Sequence, residues 1–250
     1  MAEPATGPAA AFYAHRGGRA ADWWTLLHPP YTLWHLSHVV IGATLAPTLR
    51  WDGLALGLTA FLLAVGVAAH ALDELQGRPL QTGIRDRTLW LVAALSLSGA
   101  VLAGVVGVVY VEPWLALAIP VGVLLVLGYN LELFGGRLHT DVGFALSWGG
   151  FPVVVGLLLQ SPPLTVGLVA AAVAATAAAV LLASAQRRLS TPARTLRRKT
   201  SRVGGELVLR AGGTRKLDQE TLLAPLEGTL RALCWAVPLL ALALLLVRVN

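Results

Sequence analysis

The chain has 250 residues, of which 56% are hydrophobic and only 13% charged, with a mean hydropathy of +0.70. That composition excludes an ordinary soluble domain and fits a polytopic helical membrane protein. The net charge of +6 lies in loops between apolar runs, so it reads as an orientation signal, and no nucleic-acid partner is expected.

Residues 1–21, rich in Pro, Ala and Gly, are expected to be a disordered tail, and 22–250 a transmembrane helical domain. Residues 22–30, with Trp23, Trp24 and His28, suit the headgroup layer, where tryptophan is favoured. A spanning helix needs about 20 mostly apolar residues. Seven segments qualify with soft edges: 31–49, 54–75, 88–110, 114–131, 142–159, 164–185 and 222–247. The fourth and fifth carry Pro120, Pro152 and several glycines, which predicts kinks. The sixth is an Ala/Val run suited to close helix packing. A basic cytoplasmic loop is expected over 187–220, with a small hairpin possible around 206–213. The single cysteine, Cys234, lies in an apolar run and reads as packing.

Basic residues collect before segment one (Arg16, Arg19), after segment two (Arg78, Arg85, Arg87), after segment four (Arg137) and densely after segment six. The positive-inside rule therefore predicts an integral membrane protein with a cytoplasmic N-terminus and an external C-terminus. The polar constellations then share the cytoplasmic face.

Four constellations carry candidate chemistry. His70, Asp73 and Glu74 fall at i, i+3 and i+4, one helix face at the end of segment two. Carboxylates so placed can hold Mg²⁺, and Arg78 can fork onto a phosphate; a structural acid–arginine pair closing the helix is the alternative. Tyr129, Asn130 and Glu132 end segment four, followed by Arg137, His139 and Asp141; Asp141 with Thr140 also suits an N-cap. His35 and His38 share a face of segment one as packing residues or metal ligands. Gln186 and Arg187 end segment six and are candidates to face a cavity; the bases beyond them read mainly as contacts to anionic membrane lipids.

At these residues the chain resembles the UbiA superfamily of intramembrane prenyltransferases. His70, Asp73, Glu74 and the run Arg78-Pro79-Leu80 with Gly83 are similar to that family's first Asp-rich motif. The stretch from Tyr129-Asn130 to Gly156, with Trp148-Gly149-Gly150-Phe151-Pro152, is similar to its fourth-to-fifth helix segment, and Pro29-Pro30-Tyr31-Thr32 to its opening. The resemblance covers about 28–200. It implies an all-α, UbiA-like bundle that transfers an isoprenoid chain from a prenyl diphosphate to a lipid-soluble acceptor with Mg²⁺. Under it, Asp73, Glu74 and Tyr129 are the expected catalytic residues, with Asp73 and Glu74 holding the metal. His70, Arg78, Asn130, Glu132, Gln186 and Arg187 would bind substrate. The chain departs from the family at the second acidic motif, where Ser184-Ala185-Gln186-Arg187-Arg188 stands instead, and has seven segments against the family's usual nine. That departure leaves a non-catalytic lipid-binding or accessory protein as the alternative. A metal enzyme built on His35, His38 and His70 is a third reading.

Overall fold

The computed structural model describes residues 10–15 and 17–248. A short helix α1 (Arg19–Leu27) leads into seven longer ones: α2 (Pro29–Thr44), α3 (Trp51–Leu75), α4 (Asp86–Tyr110), α5 (Leu115–Asn130), α6 (Asp141–Leu158), α7 (Val166–Arg198) and α8 (Gln219–Leu246). Each expected apolar segment falls on one of α2–α8. Helices α3, α4, α6, α7 and α8 are long and apolar enough to cross a membrane, whereas α5 is apolar but only 16 residues long. Of the tail expected over 1–21, residues 1–9 and 16 lie outside the described residues.

The ends of the helices follow local chemistry. Thr140, Thr165 and Asp218 accept hydrogen bonds from backbone N–H groups at the starts of α6, α7 and α8, satisfying donors that have no partner inside the helix. Outward-facing Leu91, Leu95, Leu102 and Val109 keep one side of α4 apolar and exposed, as a lipid-facing surface requires.

Helix α2 lies inside the bundle, packed most closely on α6 and α8. Its partner residues explain how. A Cβ on Gly42 would overlap the carbonyl of Val153, and one on Gly156 would overlap that of Val39. The two backbones therefore touch directly, the small-residue packing that holds helices together where lipid removes the hydrophobic drive. This sinks His35 and His38 of α2 to 6% and 0% exposure.

Two helices change pitch where they face the interior. Leu62–Ala69 of α3 and Leu146–Gly150 of α6 are π-helical. Such turns shift the carbonyl ladder and free acceptors for side chains. His70 Nδ1 donates to the Gly66 carbonyl, and the Trp148 carbonyl receives Nδ1 of both His35 (3.0 Å) and His38 (3.2 Å).

The stretch expected as a basic loop over 187–220 is helical as far as Arg198. The bases alternate with Ala, Leu, Ser and Thr at helical spacing, so α7 runs on past its apolar part. The rest of the connection holds an antiparallel hairpin, β1 (Glu206–Val208) with β2 (Thr214–Lys216).

Candidate functional site

The α1 end of the bundle encloses a polar cavity of about 130 Å³. One wall comes from α7. Gln186, Arg187, Ser190, Arg194, Arg197 and Arg198 all line it, at i, i+1, i+4, i+8, i+11 and i+12, a single helical face. The opposite walls come from His35 on α2, His70 and Asp73 on α3, Tyr129 and Asn130 on α5, and Trp148 on α6. His70, Asp73, Tyr129, Asn130, Gln186 and Arg187 are thus brought together from three helices.

The cations are held to different degrees. Arg187 donates to Asp141 (3.1 Å) and stacks over the Phe144 ring, 5.2 Å from its centre. Arg197 forms a two-pronged pair with Glu227 of α8, which ties α7 to α8. Arg194 has one long hydrogen bond, 3.4 Å to Thr191 Oγ1, and no ion pair among the described residues. Arg198 Nε donates to the Ala10 carbonyl at 2.9 Å. The reading of these bases as lipid contacts passed over Arg194 and Arg198; the helical spacing onto the face of Gln186 and Arg187 was the signal that would have found them.

Residues 10–15 lie across the mouth. Tyr13 is 7% exposed, with its ring 5.0 Å from His28 and 5.4 Å from Tyr31. Trp24 Nε1 donates to the Tyr13 carbonyl, and Arg231 sits over the Phe12 ring. Burial against this layer lowers the His28 pKa well below the usual imidazole value, helped by the neighbouring His70 and by Arg198 and Arg194.

Among the described residues, three buried polar atoms on the cavity wall have no hydrogen-bond partner: His28 Nε2, Tyr129 Oη and Gln186 Oε1. An unmet buried polar group costs about 1–3 kcal/mol, so a cluster of them marks a place where water or a ligand belongs. Tyr129 is fixed between a stacked His139 (4.4 Å) and an edge-on Trp148 (5.7 Å).

Three expected site residues lie elsewhere. Glu74 is fully buried and accepts from Leu80 N–H (2.9 Å), Thr82 N–H (2.8 Å) and Thr82 Oγ1 (2.9 Å). Arg78 donates to the carbonyls of Thr82 and Ile84 and pairs with Asp86. Both are spent holding the turning backbone after α3, whose donors and acceptors have no ladder of their own. Glu132 is 59% exposed, 3.8 Å from His139, outside the cavity.

This arrangement does not make the expected Mg²⁺ site. Asp73 and Glu74 do not share a ligand position, because every strong contact of Glu74 is made inside its own loop. No group of three or more His, Cys, Asp or Glu side chains among the described residues is placed to hold a metal. Asp73 remains as a carboxylate without an ion pair or hydrogen bond among the described residues.

A second cavity, of about 90 Å³ and almost wholly apolar, opens between α3, α4, α5 and α6. Leu56, Phe61, Leu97, Phe151 and Leu159 line it, and Val65 and Trp148 line both cavities. The polar site therefore adjoins an apolar one in the depth of the bundle. Compared with known proteins, the chain matches no family model, no curated protein and no solved structure.

Proposed function

We propose that this chain is a divergent, UbiA-like prenyltransferase of the membrane, taking a prenyl diphosphate with its head in the polar cavity and its tail in the apolar one. The carrying observation is the cationic face of α7, with Arg187, Arg194 and Arg198 over a cavity that shares Val65 and Trp148 with an apolar pocket. Guanidinium groups fork onto phosphate oxygens, and in a site shielded from water they offset the charge of a leaving diphosphate. That replaces the role of the absent second acidic motif. As the C–O bond opens, the electron pair leaves with the diphosphate and the allylic carbon becomes positive. The faces of Tyr129 and Trp148 line the place where that charge would form.

The loop bases favour a cytoplasmic position for this end of the bundle. The hairpin exposes Leu207, Val208 and Leu209 beside Arg210, Arg215 and Lys216, a composition suited to anionic lipid headgroups.

The test is equilibrium binding of radiolabelled farnesyl diphosphate to the detergent-purified chain, competed with inorganic diphosphate, and then turnover in membranes. Competable binding with release of diphosphate supports the proposal, and absence of binding overturns it. The occupation of Glu74 by its loop favours one second reading, a non-catalytic lipid-phosphate binder. Binding without turnover would select that reading.

A further inference from the structure

Four rings form one box on the cavity wall. His35 lies 6.2 Å from Phe144 and 6.4 Å from Trp148, and Tyr129 lies 6.1 Å and 5.7 Å from the same two rings. All four line the cavity. Arg187 sits over the Phe144 ring, so the cationic wall of α7 abuts the box. Two polar tips of the box are unspent. His35 Nδ1 faces the Trp148 carbonyl at 3.0 Å, so Nδ1 carries the proton and Nε2 is left as an acceptor. Tyr129 Oη is buried without a hydrogen-bond partner among the described residues. With the diphosphate on α7, the allylic carbon becomes positive against these rings, whose faces stabilise a cation. That carbon needs a nucleophile beside it.

Size limits what the nucleophile is. A cavity of about 130 Å³ holds about four waters at roughly 30 Å³ each. A diphosphate head takes most of that space, and only the smallest nucleophile fits next to it. Unmet buried polar atoms are also what an enclosed water satisfies.

We infer that a water held by His35 Nε2 and Tyr129 Oη is the nucleophile at this site, and that the chain hydrolyses allylic prenyl diphosphates to the free prenyl alcohol. The inference rests on the prenyl diphosphate reading and names the acceptor that the polar cavity admits. The allylic C–O bond breaks, and its electron pair leaves with the diphosphate. The water oxygen forms the new C–O bond to the same carbon. The protonated alcohol gives its extra proton to His35 Nε2, which passes it to the departing diphosphate. One water is consumed, and one alcohol and one diphosphate are formed. The protonated alcohol is a strong acid, so a neutral imidazole is base enough. The Trp148 carbonyl, in the π-helical turn of α6, holds the Nδ1 proton throughout and so keeps Nε2 available.

The test incubates the detergent-purified full chain with farnesyl diphosphate in water enriched in oxygen-18, with heat-denatured chain as the blank. Mass spectrometry follows farnesol, and binding of radiolabelled farnesyl diphosphate is measured in parallel. Farnesol should form above the blank and carry the label in its hydroxyl group. His35→Phe, which keeps the ring volume, should lower the rate of farnesol formation at least tenfold while farnesyl diphosphate binding changes less than twofold. Should that variant not fold, Tyr129→Phe, which removes the second acceptor and keeps the ring, should lower the rate in its place. An unchanged rate in the folded variant overturns the assignment. Label in the diphosphate and not in farnesol overturns it too, because water then attacks phosphorus. Binding without farnesol overturns the hydrolysis and leaves the prenyl diphosphate reading standing. Absence of binding overturns that reading itself.

Discussion

Asp73 and Glu74 are neighbours in the chain but do unrelated work. Glu74 is sealed in the loop after α3 with three hydrogen bonds to Leu80 and Thr82, while Asp73 opens into the cavity with none among the described residues. Adjacent residues on a helix point about 100° apart, so a shared metal was never forced by their adjacency.

Glu74→Ala should therefore destabilise the protein by about 3 kcal/mol, since it strands buried donors and removes charge-assisted bonds. Asp73→Asn should leave thermal stability nearly unchanged. Thermal unfolding in detergent compares the two. A larger loss for Asp73→Asn than for Glu74→Ala would show that the roles are reversed.

Arg194→Ala and Arg198→Ala should each weaken farnesyl diphosphate binding at least tenfold, about 1.4 kcal/mol. Arg202→Ala, exposed beyond the end of α7, should change it less than twofold. Equal effects at all three positions would point to general attraction by the basic region and not to a formed site.

Much of this architecture was legible in the sequence. Long apolar runs give α3, α4, α7 and α8 directly, because burial in lipid demands them. The grouping of His70, Asp73, Tyr129 and Gln186 at one end follows from their places at helix ends. The fates of Glu74 and Arg78 were not legible, since they depend on which way the loop after α3 turns. Nor were the π-helical stretches, which aim His35, His38 and His70, because no residue pattern marks them. The extension of α7 was hidden by its charges: a scan for apolar length stops where the cavity wall begins.

The first and last described residues lie at opposite ends of the bundle. Arg198 holds the Ala10 carbonyl at the cavity end, while Arg248 donates to the Thr44 carbonyl (2.8 Å) at the far end of α2. Reporter fusions at Ala2 and Asn250 should report opposite sides, the N-terminal one cytoplasmic. Reports from the same side would mean that one of α2–α8 does not cross.

Acid should loosen the cavity end. Burial holds the His28 pKa well below 6.5, its ordinary value, so the unfolded chain binds a proton there before the folded one does. Stability contributed by neutral His28 is complete above pH 6.5 and falls as pH drops below it. Among the described residues, the groups acting on the ring (His70, His35, Tyr13, Tyr31, Arg194 and Arg198) include no carboxylate to reward its protonation. The melting temperature should drop between pH 7 and pH 5, and His28→Asn should flatten that dependence. An unchanged slope would assign the acid sensitivity to other groups.

Residues 10–15 should act as a strap that ligands must displace. Arg198 is a candidate phosphate ligand, yet its Nε is bonded to the Ala10 carbonyl, and Phe12 and Tyr13 cover the opening. Removing the rings removes the cover without touching any cation. The double variant Phe12→Ala, Tyr13→Ala should raise the association rate of farnesyl diphosphate several-fold in stopped-flow measurements. Its dissociation rate should rise too, because the same cover retains a bound head group, so affinity should move less than either rate. An association rate equal to that of the unaltered chain would mean that diphosphate reaches Arg194 and Arg198 by another path, between the helices from the lipid side.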